Sequence, residues 1–424
     1  MRANLHELTA TAAATAIRHG EVTSEQVVAA CLERITANDD VVRAWAFVDP
    51  DAALEAARAC DATPPSGPLH GVPVGVKDLI DTADAPTTYG SQIYATHRPV
   101  HDAACVARLR RAGAVILGKT VTTEFALFHP GPTANPRDLR RTPGGSSSGS
   151  AAAVADRMVP VALGTQTAGS IVRPAAFCGV FGFKPTFGAV PTGGVRTIAP
   201  SLDTVGPLAR SIEDLALVAG VMAGDVDAFA ASRTRPAVAF ATTGEWEQAE
   251  PATRQTLVDL ARHLELPRAT LPDDFASLVH AQSVIMDHEV AVALDHERRA
   301  HADLMSDELL AVLDRGRAIA YDVLATARDL AASCRWALSA AFTDHDAMLV
   351  PATIGEAPAG LDATGDPLFC RIWTLLGTPS IAVPGLVGSH GLPLGVQVVA
   401  PPGRDADALA AAAWVAAALP DGTA

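Results

Sequence analysis

Hydrophobic and polar positions alternate between two periods along the first half of the chain. Short apolar runs at 72–76, 114–117, 159–163 and 180–183 are rich in valine, leucine and phenylalanine. Their length and their apolar character on both alternating sets of positions predict strands buried on both faces. Residues 102–112 and 149–156 follow helical spacing between them, and 5–38 reads as two helices. Thr23 with Gln26 three positions later predicts a capping box ahead of Val27, Val28, Cys31, Leu32 and Ile35, an apolar face at helical spacing. One more helix is expected at 211–225 and a short strand at 237–240. A region almost wholly helical in pattern then runs from 274 to 345. The runs 347–350, 380–383 and 395–399 predict strands returning to the sheet, and the alanine-rich 406–419 predicts a helix. Such alternation implies an α/β layer architecture. No internal repeat or long linker breaks it, so 1–424 reads as one domain with 225–345 as a variable helical elaboration.

Composition narrows the function classes. The chain has 424 residues, 49% hydrophobic and 19% charged, which is globular rather than disordered. The net charge of -15 is spread along the chain, and basic residues never run beyond pairs such as Arg110-Arg111, which argues against nucleic-acid binding. The stretch 406–419 is too short to span a bilayer, and 1–9 has no apolar core of the kind a secretory signal needs. Cys31, Cys60, Cys105, Cys178, Cys334 and Cys370 form no CxxC pair, a pattern suited to reduced thiols in the cytoplasm.

The most unusual local feature is Gly144-Gly-Ser-Ser-Ser-Gly-Ser150. A flexible linker is one reading, but Pro143 stiffens its start and a helix-forming alanine run follows it. A phosphate loop is another, but no lysine follows the glycines as the nucleotide-binding spacing requires. The third reading is catalytic and draws on two further segments. Gly164-Thr-Gln-Thr-Ala-Gly-Ser170 places a serine after a turn of small residues, and Gly71-Val-Pro-Val-Gly-Val-Lys77 ends a buried strand on a lysine. Burial would lower that lysine's pKa and make it a base near neutral pH.

Together these segments resemble the amidase signature family, with the lysine, first serine and second serine in the family's order and spacing. The resemblance extends from about residue 23 to 210 and resumes at 369–411, where 373–379 and 391–397 look like the family's C-terminal strands. It implies a large twisted mixed β-sheet covered by helices on both faces. It also implies that Ser170 is the nucleophile, Ser146 the proton relay held through a cis peptide after Gly145, and Lys77 the base. The N–H groups of Thr167, Ala168, Gly169 and Ser170 would form the oxyanion hole. No cofactor and no metal are implied, and a homodimer would be in keeping with the family.

Three positions depart from the commonest family pattern: Ala168 and Ser148 replace glycines, and Gln166 stands where many members have aspartate. Arg173, three residues after Ser170, looks like the malonamidase-type branch, where an arginine at this place binds a substrate carboxylate; the competing reading ties loops together. The resemblance therefore implies hydrolysis of a small-molecule amide, with a carboxylate-bearing one such as malonamate expected. The alternatives are a glutaminase-type amidotransferase subunit that needs a partner and a non-catalytic binding protein on the same fold.

Other groups carry less. His288, His296 and His301 lack metal-ligand spacing, and Cys178 in an apolar run reads as an inert thiol. Asp203 is expected to hold the scaffold. Asp78 is expected either to support Lys77 or to cap a helix.

Overall fold

A computed structural model describes residues 4–230 and 235–419; Met1 to Ala3, 231–234 and the last five residues lie outside it, and with them part of the 1–9 and 225–345 readings. Its centre is one sheet of eleven strands: β1 (Trp45–Val48), β2 (Pro73–Lys77), β3 (Val115–Thr120), β4 (Val161–Gln166), β5 (Phe181–Lys184), β6 (Thr204–Ala209), β7 (Val238–Ala241), β8 (Arg268–Ala269), β9 (Ala347–Pro351), β10 (Ser380–Val387) and β11 (Pro393–Val399). The order across it is β1-β3-β2-β4-β6-β5-β10-β11-β9-β7-β8. Strand β2 pairs in parallel with β3 and β4, whereas β4/β6, β5/β6 and β10/β11 are antiparallel. The sheet is therefore mixed, as expected.

Both faces are covered because the strands are apolar at both parities. Val161 and Leu163 of β4 pack into a core with the helices Ala10–Arg18, Ala104–Arg111, Ile212–Ala223 and Asp405–Ala418. Ala162, between them, packs on the other face with the helices Ser24–Val42, Pro50–Asp61, Ser148–Ala155 and Val172–Cys178. Strand β10 repeats the division, with Ile381 and Val383 on the first face and Ala382 on the second. A third core gathers the helices Leu278–Ala293, Asp307–Ala318 and Tyr321–Ala341. The Thr23–Gln26 capping box forms as read.

One reading is corrected. The 373–379 run is not a strand: Trp373 to Leu375 end the helix Leu368–Leu375, and Gly377 (φ 74°) turns the chain into β10. A short apolar run does not separate a buried helix from a strand by periodicity. Strand β7 forms at the expected 237–240 position, and the two-residue β8, not read from the sequence, pairs with it at the sheet edge. Among the described residues no helix is long and apolar enough to cross a membrane.

Candidate active site

Strand register delivers the lysine. β2 pairs Val74 with Val161 and Val76 with Leu163, all four on the first face, so Lys77 begins on the opposite one. A one-residue slip would turn it away from the Gly/Ser segment. Gly164 leaves the room that this segment needs, because a Cβ there would lie 2.8 Å from Ser147 Oγ. Ser147 Oγ in turn donates to Thr165 O and accepts from Thr165 N, both at 3.2 Å, which ties the segment to β4.

Lys77 is fully buried, with Nζ 2.8 Å from Ser146 Oγ and 2.7 Å from Thr165 Oγ1. Burial holds its pKa well below the ordinary 10.5, opposed by the charge of Asp203. Asp78, expected near Lys77 or at a helix cap, does neither. It sits 3.1 Å from Lys119 Nζ and accepts from Thr88 N and Oγ1.

Ser146 follows a cis peptide from Gly145. Its carbonyl accepts from Thr123 N at 3.3 Å, and the next amide, Ser147 N, donates to Ser170 O at 3.3 Å. The three segments read from the sequence therefore meet at the ends of β2 and β4. Ser170 is buried, and among the described residues its hydroxyl takes no protein hydrogen-bond partner.

Every carbonyl of 167–169 is held from outside. Thr167 O accepts from Gln282 Nε2 at 3.1 Å, Ala168 O from Thr374 Oγ1 at 2.7 Å and Gly169 O from Arg173 N at 2.9 Å. Among the described residues, the N–H groups of Thr167, Ala168, Gly169 and Ser170 donate to no protein acceptor. Fixed carbonyls with unpaired amides form a cradle for negative charge. Ala168 does not have a positive φ, so the departure from glycine carries no backbone strain. Gly169 allows a close approach, for a Cβ there would stand 2.8 Å from Pro367 Cβ and 3.0 Å from Cys370 Cβ.

Gln166 does more than remove a charge. Its Oε1 accepts from Ile171 N (2.8 Å) and Val172 N (3.0 Å), while Nε2 donates to Thr374 Oγ1 at 2.9 Å. It therefore fixes the start of the helix Val172–Cys178 directly after Ser170. Gln166→Met should strand two buried N–H groups at about 1–3 kcal/mol each. A lower urea midpoint is the expected result, with a smaller loss in Gln166→Glu, which keeps the acceptor.

Asp203 accepts from Thr167 Oγ1 at 2.6 Å and from the amides of Ile198 and Ala199, and burial lifts its pKa to about 6. It holds the 167–170 turn, as the scaffold reading had it. Cys178 is buried with its thiol pushed up to about 12 by desolvation. His288 lines a cavity of about 600 Å³ with Arg196, Glu289 and Arg328, and neither His296 nor His301 is among its lining residues. Among the described residues no cluster of three or more His, Cys, Asp or Glu side chains is placed to hold a metal.

Arg173 is buried among loop oxygens. Its guanidinium donates to Gly365 O and Gly145 O at 2.6 Å each and to Thr364 Oγ1 at 3.2 Å, and its Nε is sealed from solvent. Burial lowers its pKa to about 10. Main-chain oxygens occupy both ends of the Arg173 fork, which favours the loop-tying reading over carboxylate binding. Thr165, Gln282 and Thr374 were missed from the sequence. Gln282 and Thr374 come from helices more than a hundred residues beyond the turn they hold, and nothing local marks them.

The Amidase family model matches residues 26–409. The chain belongs to the amidase family, the signature type with the mixed sheet described above. The chain spans about half the length of the curated relatives it matches. One of them, a glutamyl-tRNA(Gln) amidotransferase subunit of Chloroflexus aggregans, is 47% identical over 230 residues, 52% of this chain and 47% of that protein. Solved structures match more fully. A chain of a vestigial protein complex tied to the origins of an s-triazine catabolic enzyme has a TM-score of 0.90 at 29% identity, covering 96% of this chain and 98% of that one. The peptide amidase of Stenotrophomonas maltophilia has a TM-score of 0.81 at 29% identity, covering 96% of each.

Proposed function

We propose that the chain acts as one amidase domain that hydrolyses the C–N bond of a small-molecule amide through an acyl-enzyme on Ser170. The observation that carries this reading is the buried Lys77 Nζ, 2.8 Å from Ser146 Oγ, beside the turn that bears Ser170. A neutral lysine there accepts the Ser146 proton as Ser146 takes the proton of Ser170. The Ser170 oxygen then bonds to the amide carbon, and the carbonyl oxygen gathers charge against the N–H groups of 167–170. The proton returns through Ser146 to the nitrogen, and the C–N bond breaks to release ammonia or an amine. Water, deprotonated by the same relay, attacks the ester, frees the acid and restores the Ser170 hydroxyl. No step calls for a metal or an organic cofactor.

The identity to the glutamyl-tRNA(Gln) amidotransferase relatives favours a second reading, in which the same groups release ammonia from glutamine for a partner. The sequence of the nucleophile turn, with Gln166 and Val172, departs from that branch. Ammonia release by the purified chain across paired amides, with glutamine included, separates the two. Turnover of small amides without a partner is the expected result. Activity confined to glutamine, and only with an added partner, would support the second reading instead.

A further inference from the structure

With Arg173 closed off by carbonyl oxygens, a different arginine stands open at the turn. Arg371 lies one helical turn before Thr374 on the helix Leu368–Leu375, so both share the face that meets the turn. Thr374 Oγ1 holds Ala168 O at 2.7 Å, and Arg371 Nη1 donates to Gln282 Oε1 at 2.5 Å. Gln282 Nε2 donates onward to Thr167 O at 3.1 Å. The guanidinium is therefore fixed two hydrogen bonds from a residue whose amide belongs to the charge cradle.

Its remaining donors are unspent. Among the described residues, Arg371 Nε and Nη2 have no protein partner and, unlike Arg173 Nε, are not sealed from solvent. No carboxylate among them lies within 4.0 Å of it. Asp366 and Asp287 act on it from farther off, and Asp287 is itself paired with Arg315 at 3.0 Å. Burial still weakens its charged form. Arg371 is half-buried, and the planar fork it leaves unpaired matches a carboxylate in two parallel hydrogen bonds.

We infer that Arg371, steered by Gln282, binds a carboxylate of the substrate beside the Ser170 turn and sets a preference for anionic amides. The inference rests on the amidase reading of the same site. Two measurements separate their failures. The first is kinetic: malonamate, succinamate and glutaramate are each compared with the neutral diamide, in the parent, Arg371→Gln and Arg371→Lys. Arg371→Gln should raise KM for the preferred anionic amide roughly 10- to 100-fold, leave kcat within about threefold and leave kcat/KM for the neutral partner within about threefold, with partial rescue in Arg371→Lys. An equal fall on both members would make Arg371 a strut for Gln282 and overturn the inference, as would no change on either. The second is calorimetric binding of malonate, succinate and glutarate to Ser170→Ala, with and without Arg371→Gln. Binding lost with Arg371 supports the inference even if the parent hydrolyses no amide, in which case the amidase reading alone fails. No dicarboxylate binding to Ser170→Ala, with no anionic preference in the parent, overturns the inference.

Discussion

Ser170→Ala should lower kcat by roughly 10⁴- to 10⁶-fold, the scale seen when a nucleophile that works as part of a unit is removed. The fold should not register the change. The Ser170 hydroxyl has no protein partner among the described residues, and the contact that seats this residue, Ser147 N on Ser170 O, is main chain. Steady-state kinetics with a parallel thermal melt checks both halves. Retained turnover would remove Ser170 from the chemistry, and a lost melting transition would make it structural.

Lys77→Met should also abolish turnover, by about 10³-fold or more, and it carries a second signature in pH. Burial holds the lysine's pKa well below 10.5, so the neutral base persists toward neutral pH. In the parent, kcat/KM should rise with pH through that lowered pKa and then level off, because only the neutral form accepts a proton. Stability should follow the same direction. Between the lowered folded pKa and the unfolded value near 10.4, the unfolded chain binds the extra proton, so stability rises with pH by up to about 1.4 kcal/mol per unit. Lys184, lowered by burial to about 7, and Lys119, also lowered, add slopes of the same sign. The difference between parent and Lys77→Met denaturation curves across pH isolates Lys77. Parallel curves would mean that the lysine is charged in the folded protein.

The groups proposed to react were readable in the sequence because each lies in a recognisable local pattern. Lys77 ends a strand of alternating valines, and Ser146 and Ser170 sit in turns of small residues that allow close backbone approach. The same was true of most strands, whose apolar runs mark burial on two faces. What stayed hidden is support from a distance. Thr374 and Gln282 hold the carbonyls of 168 and 167 from remote helices, and neither side chain looks unusual in its own segment. The 373–379 run, expected as a strand, instead begins with the last turn of the helix Leu368–Leu375, which has no side-chain cap to mark it. Arg173 misled for a related reason: an arginine at a functional spacing looks alike whether it meets a ligand or the carbonyl oxygens of Gly145 and Gly365.

The central claim, a covalent acyl group on Ser170, is tested most directly by mass spectrometry of the chain quenched in acid during turnover of its slowest amide. The expected result is a mass increase equal to the acyl group, located by digestion on the peptide that carries Ser170 and absent from Ser170→Ala. Steady turnover with the added mass on another residue, or undiminished ammonia release from Ser170→Ala, would contradict it.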